Sequence, residues 1–272
     1  METNKIYQGD CLELMKQLKD NSIDLVVTSP PYDNLRKYKG YTFDFEGIAR
    51  ELFRIIKDGG VVVWVVGDST INGSETGTSF KQALYFKEIG FNLHDTMIYL
   101  KNQFMPLTHN RYEQGFEFMF IFSKGKPRVF NPIMERCVSA GSKKYRGNAK
   151  QYESSYSERK REEITITKKY KQKINVWAFN VGNASGDDKT EHNAPFPEQL
   201  AEDHILSWSN EGDTVLDPMC GSGTTCKMAL LNKRNYLGFE ISEEYCKIAN
   251  ERISKLNNGN DGIHPSPKGK GI

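Results

Sequence analysis

The order of apolar and polar positions along the chain alternates between two patterns. A short apolar run at 23–27, bounded by polar and proline residues, is typical of a strand buried on both faces of a parallel sheet. Helical spacing follows at 45–56, and a second buried run at 61–66 comes after Asp58-Gly59-Gly60, which we expect to end the helix. This alternation predicts an α/β fold.

The same alternation continues to the end of the chain. The runs at 95–100 and 116–122 predict two strands that pair as a hairpin. Residues 257–272 have almost nothing apolar to bury and predict a tail without structure. The remaining predicted elements are helices at 12–18, 79–89, 196–208, 224–231 and 242–256, and strands at 214–216 and 236–239.

Charge is unevenly distributed, although the formal net charge is only +2. Residues 126–189 hold 15 Lys and Arg against seven Asp and Glu, interleaved with tyrosines. Such a segment suits a surface that neutralises phosphates and stacks on bases, whereas a charge run standing alone is more often solvated surface. We expect an insertion at 131–190.

Other classes of protein are disfavoured by composition. No apolar stretch approaches the roughly 20 residues of a membrane helix, and the first residues lack the pattern of a signal peptide, so we expect a cytoplasmic protein. Five cysteines without a CxxC pair and five scattered histidines predict neither disulfides nor a metal site.

Two motifs close predicted strands and carry the candidate chemistry. Ser29-Pro30-Pro31-Tyr32 follows the first buried run, and Asp217 to Thr225 follows the strand at 214–216. In the second motif, Gly221-Ser222-Gly223 lies between a strand and a helix, where a nucleotide-like cofactor can approach the backbone, although a tight turn without a ligand looks the same. Glu240, about twenty residues on, suits a ribose-binding acid or a helix cap.

Together these motifs resemble the DNA amino-methyltransferases of restriction and modification systems. Their order, with the tetrad first, the basic segment in the middle and the glycine turn last, resembles the circularly permuted beta group. The resemblance implies a doubly wound, Rossmann-like S-adenosylmethionine-dependent methyltransferase sheet whose strands come from both ends of the chain. It also implies a catalytic domain of residues 1–130 and 191–256, with 131–190 for target recognition.

The resemblance assigns roles to single residues. The tetrad would be catalytic, and the glycine turn and the acid would bind S-adenosylmethionine. Asp10 would accept a hydrogen bond from the adenine amino group, with Cys11 nearby, although Asp10 is equally suited to cap the helix at 12–18. Met219 replaces a phenylalanine that relatives commonly carry, and this apolar exchange should preserve binding. The implied cofactor residues are Asp10, Cys11, Asp217, Pro218, Gly221, Gly223, Thr224 and Glu240; the implied catalytic residues are Ser29, Pro30, Pro31 and Tyr32.

The tetrad explains how an amino group could be methylated. The nitrogen lone pair is delocalised into the base, and hydrogen bonds to the Ser29 hydroxyl and the Pro30 carbonyl would free it for in-line transfer. Tyr32 would stack on a base flipped out of the duplex. Ser29 favours cytosine, because adenine-modifying relatives mostly carry Asp there, and adenine is the alternative.

Other functions fit the sequence less well. A cytosine carbon-5 methyltransferase needs a cysteine nucleophile, typically after proline, and no Pro-Cys pair occurs. An RNA or protein methyltransferase, or a DNA-binding protein without turnover, stays a minor alternative. Expected partners are double-stranded DNA, a second copy in a homodimer and a cognate restriction endonuclease.

Overall fold

A computed structural model describes residues 1–31, 43–103, 110–145, 164–180 and 197–257. Tyr32, much of the basic segment and the predicted tail from residue 258 lie outside these ranges. The chain divides into two compact units: Met1–Asn131 with Asn175–Ile272, and Pro132–Ile174. Among the described helices, none is long and apolar enough to cross a membrane.

Fourteen strands and six helices are found in the described residues. The strands are β1 (Lys5–Gln8), β2 (Ile23–Thr28), β3 (Ile56–Val66), β4 (Thr70–Ile71), β5 (Ser74–Glu75), β6 (Asn92–Lys101), β7 (Phe116–Ser123), β8 (Met134–Arg136), β9 (Lys143–Tyr145), β10 (Ile164–Ile166), β11 (Tyr170–Gln172), β12 (Val176–Phe179), β13 (Thr214–Asp217) and β14 (Asn235–Glu240). The helices are α1 (Cys11–Met15), α2 (Phe45–Ile55), α3 (Thr78–Glu88), α4 (Glu198–Trp208), α5 (Thr224–Leu231) and α6 (Glu243–Asn257).

Eight strands of the larger unit form one sheet in the order β1-β14-β13-β2-β3-β7-β6-β12. All neighbours are parallel except that β7 runs antiparallel to both β3 and β6. Strands from both ends of the chain therefore contribute to one sheet, as predicted. The predicted hairpin of β6 and β7 is confirmed.

The core of this unit lies where α2 packs against β3 and α3 packs against β6 and β7. Apolar residues recur on one face of α2 and are buried there, including Ile48, Leu52 and Ile55. Phe86 of α3 stacks on Phe122 of β7 with ring centroids 4.4 Å apart. Every position of β2 and of residues 60–66 in β3 is buried, which accounts for their continuous apolar sequence.

Strand β3 differs from its predicted bounds. Helix α2 ends at Ile55 as expected, but β3 already begins at Ile56 and includes Asp58-Gly59-Gly60. Its pairing with β2 shifts register between Ile23 and Leu25, so the glycines form an irregular stretch within the strand. Gly59 has φ of +76°, a conformation that favours glycine.

The described residues of the smaller unit form two antiparallel strand pairs, β8 with β11 and β9 with β10. Residues 132–174 hold 12 Lys and Arg against five Asp and Glu. The expected insertion reaches residue 190, and within that range β12 pairs with β6 in the sheet of the larger unit.

Four neighbouring parallel strands end at one edge of the main sheet, and the candidate residues follow them there. β2 leads into the tetrad, β13 into the glycine turn, and β14 ends at Glu240. Gln8 pairs with Glu240, so the Gly9-Asp10-Cys11 segment also leaves the sheet at this edge. Ligands in open α/β sheets bind outside the carboxyl ends of the strands.

Candidate active site

Two hydrogen bonds join the end of β2 to the glycine turn. The Thr28 hydroxyl donates to Asp217 Oδ1 at 2.7 Å, and the Thr225 hydroxyl donates to the Val27 carbonyl at 3.1 Å. Both threonines are buried. Because Ser29 follows Thr28 directly, the start of the tetrad is fixed beside the strand that carries the turn.

Asp217 is a buried carboxylate at this junction. Besides the Thr28 hydroxyl, its Oδ1 accepts a hydrogen bond from the Met219 N–H at 3.1 Å. Burial raises the pKa of Asp217 to about 6, although the hydrogen bonds from Thr28 and Met219 act in the opposite direction. These contacts give Asp217 a structural task within the turn.

The described part of the tetrad is Ser29, half-buried, followed by Pro30, buried, and Pro31, half-buried. Each proline fixes its own φ and restricts the residue before it, so the two carbonyls that precede them are held in place. Tyr32, the last member of the tetrad, lies outside the described residues.

The glycine turn packs closely against α6. Gly223 has φ of +79° and precedes the first residue of α5, Thr224. A Cβ at Gly223 would lie 2.9 Å from the Cβ of Ala249 on α6, so a larger residue has no room. Pro218 and Thr224 are buried on either side of the turn, and Gly221 is half-buried.

Glu240 connects the turn to the following helix. It is only 7% exposed, and its Oε2 accepts from the Gly221 N–H at 2.9 Å while its Oε1 accepts from the Ser242 N–H at 2.9 Å. Burial raises the pKa of Glu240, and these backbone hydrogen bonds oppose that shift. A carboxylate has about four lone-pair sites, so Glu240 retains acceptor capacity for a ribose hydroxyl.

Asp10 caps α1, as one of its two predicted roles requires. Its Oδ1 accepts from the Leu12 N–H at 2.9 Å and the Glu13 N–H at 3.2 Å. The Gly9 N–H donates to the Glu240 carbonyl at 2.9 Å, which holds this segment against the end of β14. Burial and the Asp10 carboxylate raise the pKa of the Cys11 thiol to about 12, so Cys11 stays protonated.

The residues at this edge fit an adenosine-type cofactor. The cradle has a buried acid at Glu240, a half-buried backbone turn at Gly221 and a half-buried apolar side chain at Met219. Helix α5 begins immediately after the turn, so its first N–H groups face this edge.

Three contributing residues were assigned no role from the sequence: Thr28, Thr225 and Arg252. The threonines lie next to predicted site residues, and position alone is the signal that could have indicated them. Arg252 of α6 donates to the Ser222 carbonyl at 2.7 Å. Nothing in the local sequence of α6 indicates this contact, which spans thirty positions.

Known proteins resemble this chain over most of its length. A family model described as DNA methylase, for N6 and N4 methyltransferases, matches residues 23–251. The orphan methyltransferase M.BamHII of Bacillus amyloliquefaciens is 54% identical over 248 residues, which are 88% of this chain and 92% of that protein. The type II methyltransferase M.BglII of Bacillus subtilis is 29% identical over 92% of this chain and 69% of its own length.

Two solved structures also resemble this chain over most of its length. The M1.HpyAVI–SAM complex superposes with a TM-score of 0.60 at 25% identity, covering 91% of this chain and 98% of that one. The cytosine-N4-specific PvuII DNA methyltransferase gives a TM-score of 0.69 over 96% and 97% of the two chains, and at 19% identity it shows the fold alone. The predicted methyltransferase fold and cofactor are thereby confirmed. The chain belongs to the N6/N4 DNA methylase family and is an S-adenosylmethionine-dependent DNA methyltransferase.

Proposed function

We infer that the protein methylates the exocyclic amino group of a base flipped out of duplex DNA, and that the base is cytosine. The observation that carries this proposal is the pair of hydrogen bonds from Thr28 and Thr225, which fix the tetrad strand beside the glycine turn. Ser29, in place of the Asp of most adenine-modifying relatives, supports cytosine. Adenine methylation by the same mechanism is the alternative.

The residues of the chain prepare the amino group for transfer. The Ser29 hydroxyl and the Pro30 carbonyl each accept one amino hydrogen, which withdraws the nitrogen lone pair from the ring and directs it at the methyl group. Tyr32 stacks on the face of the flipped base. S-adenosylmethionine, when bound, would supply an electrophilic methyl group and leave as S-adenosylhomocysteine, and the proton lost from the amino nitrogen would pass to solvent.

The cofactor is held at the carboxyl edge of β1, β13 and β14. In this proposal Glu240 accepts hydrogen bonds from the ribose hydroxyls, and Asp10 accepts one from the adenine amino group with the carboxylate oxygen that does not cap α1. Cys11, Pro218, Gly221, Gly223 and Thr224 form the wall of the pocket. Asp217 acts by holding the turn against β2.

Target recognition falls to the expected insertion at 131–190. The excess of Lys and Arg in the unit Pro132–Ile174 supports phosphate contacts, which position a protein on DNA without specifying its sequence. A homodimer and a cognate restriction endonuclease stay predictions.

One experiment separates the alternatives. Purified protein is incubated with S-adenosylmethionine and unmethylated genomic DNA, the DNA is digested to nucleosides, and the products are identified by mass spectrometry. N4-methylcytosine is the expected product. N6-methyladenine would keep the mechanism and overturn the choice of base, whereas 5-methylcytosine would keep the base and overturn methylation of the amino group.

A further inference from the structure

Arg252 of α6 is a buried cation that contacts the glycine turn on the side that packs against α6. Its side chain is 8% exposed, and Nη1 donates to the Ser222 carbonyl at 2.7 Å and to the Ser222 hydroxyl at 3.1 Å. The Thr224 hydroxyl lies 3.4 Å from the same nitrogen. One guanidinium nitrogen therefore reaches both the middle of the turn and the first residue of α5.

The other end of the guanidinium binds a carboxylate on a third helix. Arg252 Nη2 donates to Glu198 Oε1 at 2.6 Å, and Lys227 Nζ of α5 donates to the same oxygen at 2.9 Å. Glu198 is the first residue of α4. Since Lys227 and Arg252 have side chains only 8% exposed and Glu198 16%, this ion cluster is shielded from water and strongly orients its members.

The contacts define how the turn is held. Ala249 lies one helical turn before Arg252 on α6 and touches the position of Gly223. Ala249 thus limits how far the turn can move toward α6, and Arg252 keeps the Ser222 carbonyl from moving away from it. The planar fork of arginine can bind Ser222 and Glu198 at once, whereas a lysine ammonium is a single compact charge.

We propose that Arg252 is a positioning residue for S-adenosylmethionine: through Ser222 it sets the shape of the glycine turn, and through Glu198 it ties that shape to the start of α4. Arg252 does not touch the cofactor in this proposal. Its loss should weaken cofactor binding more than it slows methyl transfer at saturating cofactor, because the tetrad is fixed separately through Thr28 and Thr225.

The test compares two buried arginines. Arg234 is also 8% exposed, and it too donates to backbone carbonyls, those of Asn232 at 2.6 Å and Ser209 at 2.7 Å. It directly precedes β14 and therefore lies at the opposite edge of the sheet from the glycine turn. Arg234→Lys is the matched control for Arg252→Lys.

Three quantities are measured for each variant: the melting temperature without cofactor, the Kd for S-adenosylmethionine by calorimetry, and kcat and KM with DNA in excess. We expect Arg252→Lys to raise the Kd and KM for S-adenosylmethionine about tenfold, the effect of one lost charge-assisted hydrogen bond. Its kcat should change by less than about twofold. Arg234→Lys should lower the melting temperature and leave the Kd unchanged.

A second variant weakens the contact at the other end of the Arg252 guanidinium. Glu198→Gln keeps Arg252 and removes its charged partner, and we expect a smaller rise in the Kd in the same direction. This variant decides the question if Arg252→Lys fails to fold. An unchanged Kd in whichever of the two variants folds, or an equal loss of affinity in Arg234→Lys, would overturn the positioning role.

Discussion

Ser29 is the residue on which the proposed choice of base and the proposed mechanism both depend. It follows Thr28, whose hydroxyl is bound to Asp217. Removing the Ser29 hydroxyl should leave that bond intact, so the cofactor site should be unaffected. Activation of the amino group and binding of the cofactor can therefore be tested separately.

We expect Ser29→Ala to lower kcat about a hundredfold, which is the order of magnitude found when one hydrogen-bonding group at a reacting centre is removed. The Kd for S-adenosylmethionine should be unchanged. Single-turnover rates and calorimetry measure the two quantities. Ser22→Ala is the control, because that half-buried serine donates to the Lys19 carbonyl before β2. A normal methylation rate in Ser29→Ala would show that the hydroxyl does not activate the amino group.

Asp217 gives the protein a pH-dependent stability. Its pKa is about 6 in the folded protein and about 3.9 in an unfolded chain, because burial disfavours the charged form. Between these values the folded state binds a proton that the unfolded state has released, so stability falls as pH rises and levels off above about pH 7.

Asp217→Asn should remove this dependence. Between pH 5 and pH 7.5 the free energy of unfolding of the parent protein should fall by about 1 kcal/mol relative to that of the variant. Urea unfolding at several pH values measures it. Burial also raises the pKa of Glu240, and because that carboxylate is present in both proteins, only its interaction with Asp217 differs between them. Parallel pH profiles would contradict the assignment of the shift to Asp217.

At the scale of elements, the site depends on how closely the turn between β13 and α5 approaches α6. Alanine substitutions at Gly223 and Gly212 separate the effect of this close packing from the effect of backbone strain. Both glycines have positive φ, +79° and +86°, but a Cβ at Gly212 would meet no heavy atom within 4 Å. Alanine at either position costs about 1–2 kcal/mol of strain, and only alanine at Gly223 also collides with Ala249.

We therefore expect Gly223→Ala to lower the melting temperature more than Gly212→Ala does, and only Gly223→Ala to weaken S-adenosylmethionine binding. Adding Ala249→Gly should restore part of the affinity, because it removes the atom that the new methyl group meets. Thermal unfolding and calorimetry measure both effects. Equal behaviour of the two alanine variants would show that the close approach to α6 is unimportant.

Elements with a strong local pattern were predicted well, and those fixed by distant partners were not. Helix α5 has its predicted bounds, since a glycine turn precedes it. The edge strand β12 was missed, because it is short and lies among basic residues. The β4–β5 hairpin was missed although its Asn72-Gly73 turn has the positive φ angles that this pair favours.

The site residues also divide into those indicated by a local motif and those fixed by distant partners. Motifs at strand ends indicated Ser29, Asp217 and Glu240, because parallel strands bring their carboxyl ends to one edge. The two roles considered for Asp10 could not be separated by sequence, and its cap on α1 is now observed. Arg252 could not be predicted, since its partners come from α4 and from the glycine turn.

At the scale of the whole molecule, the two ends of the smaller unit, Pro132–Ile174, lie next to each other. Within the smaller unit, the Lys173 N–H donates to the Ile133 carbonyl at 2.8 Å, so its two ends are neighbours. A flexible linker of a few residues can therefore replace residues 134–172. The main sheet contains none of the removed strands.

This shortened protein should fold and bind S-adenosylmethionine with an affinity close to that of the parent, and it should lose most of its affinity for DNA. Calorimetry with cofactor and electrophoretic mobility shifts at fixed salt measure the two properties. The parent protein under the same salt is the reference. Retained DNA affinity would show that the smaller unit is not the main phosphate-binding surface.

The placement of β2 between β13 and β3 also determines when the enzyme can first become active during its synthesis. Thr28 and Asp217 are 189 positions apart, so at about 5–20 residues per second β13 is made roughly 10–40 s after β2. During that interval the nascent chain carries the tetrad and the basic segment, but no glycine turn, and one edge of β2 has no neighbour. A chain released early could meet DNA without a methyl donor, and its open strand edge would make it a substrate for chaperones and proteases.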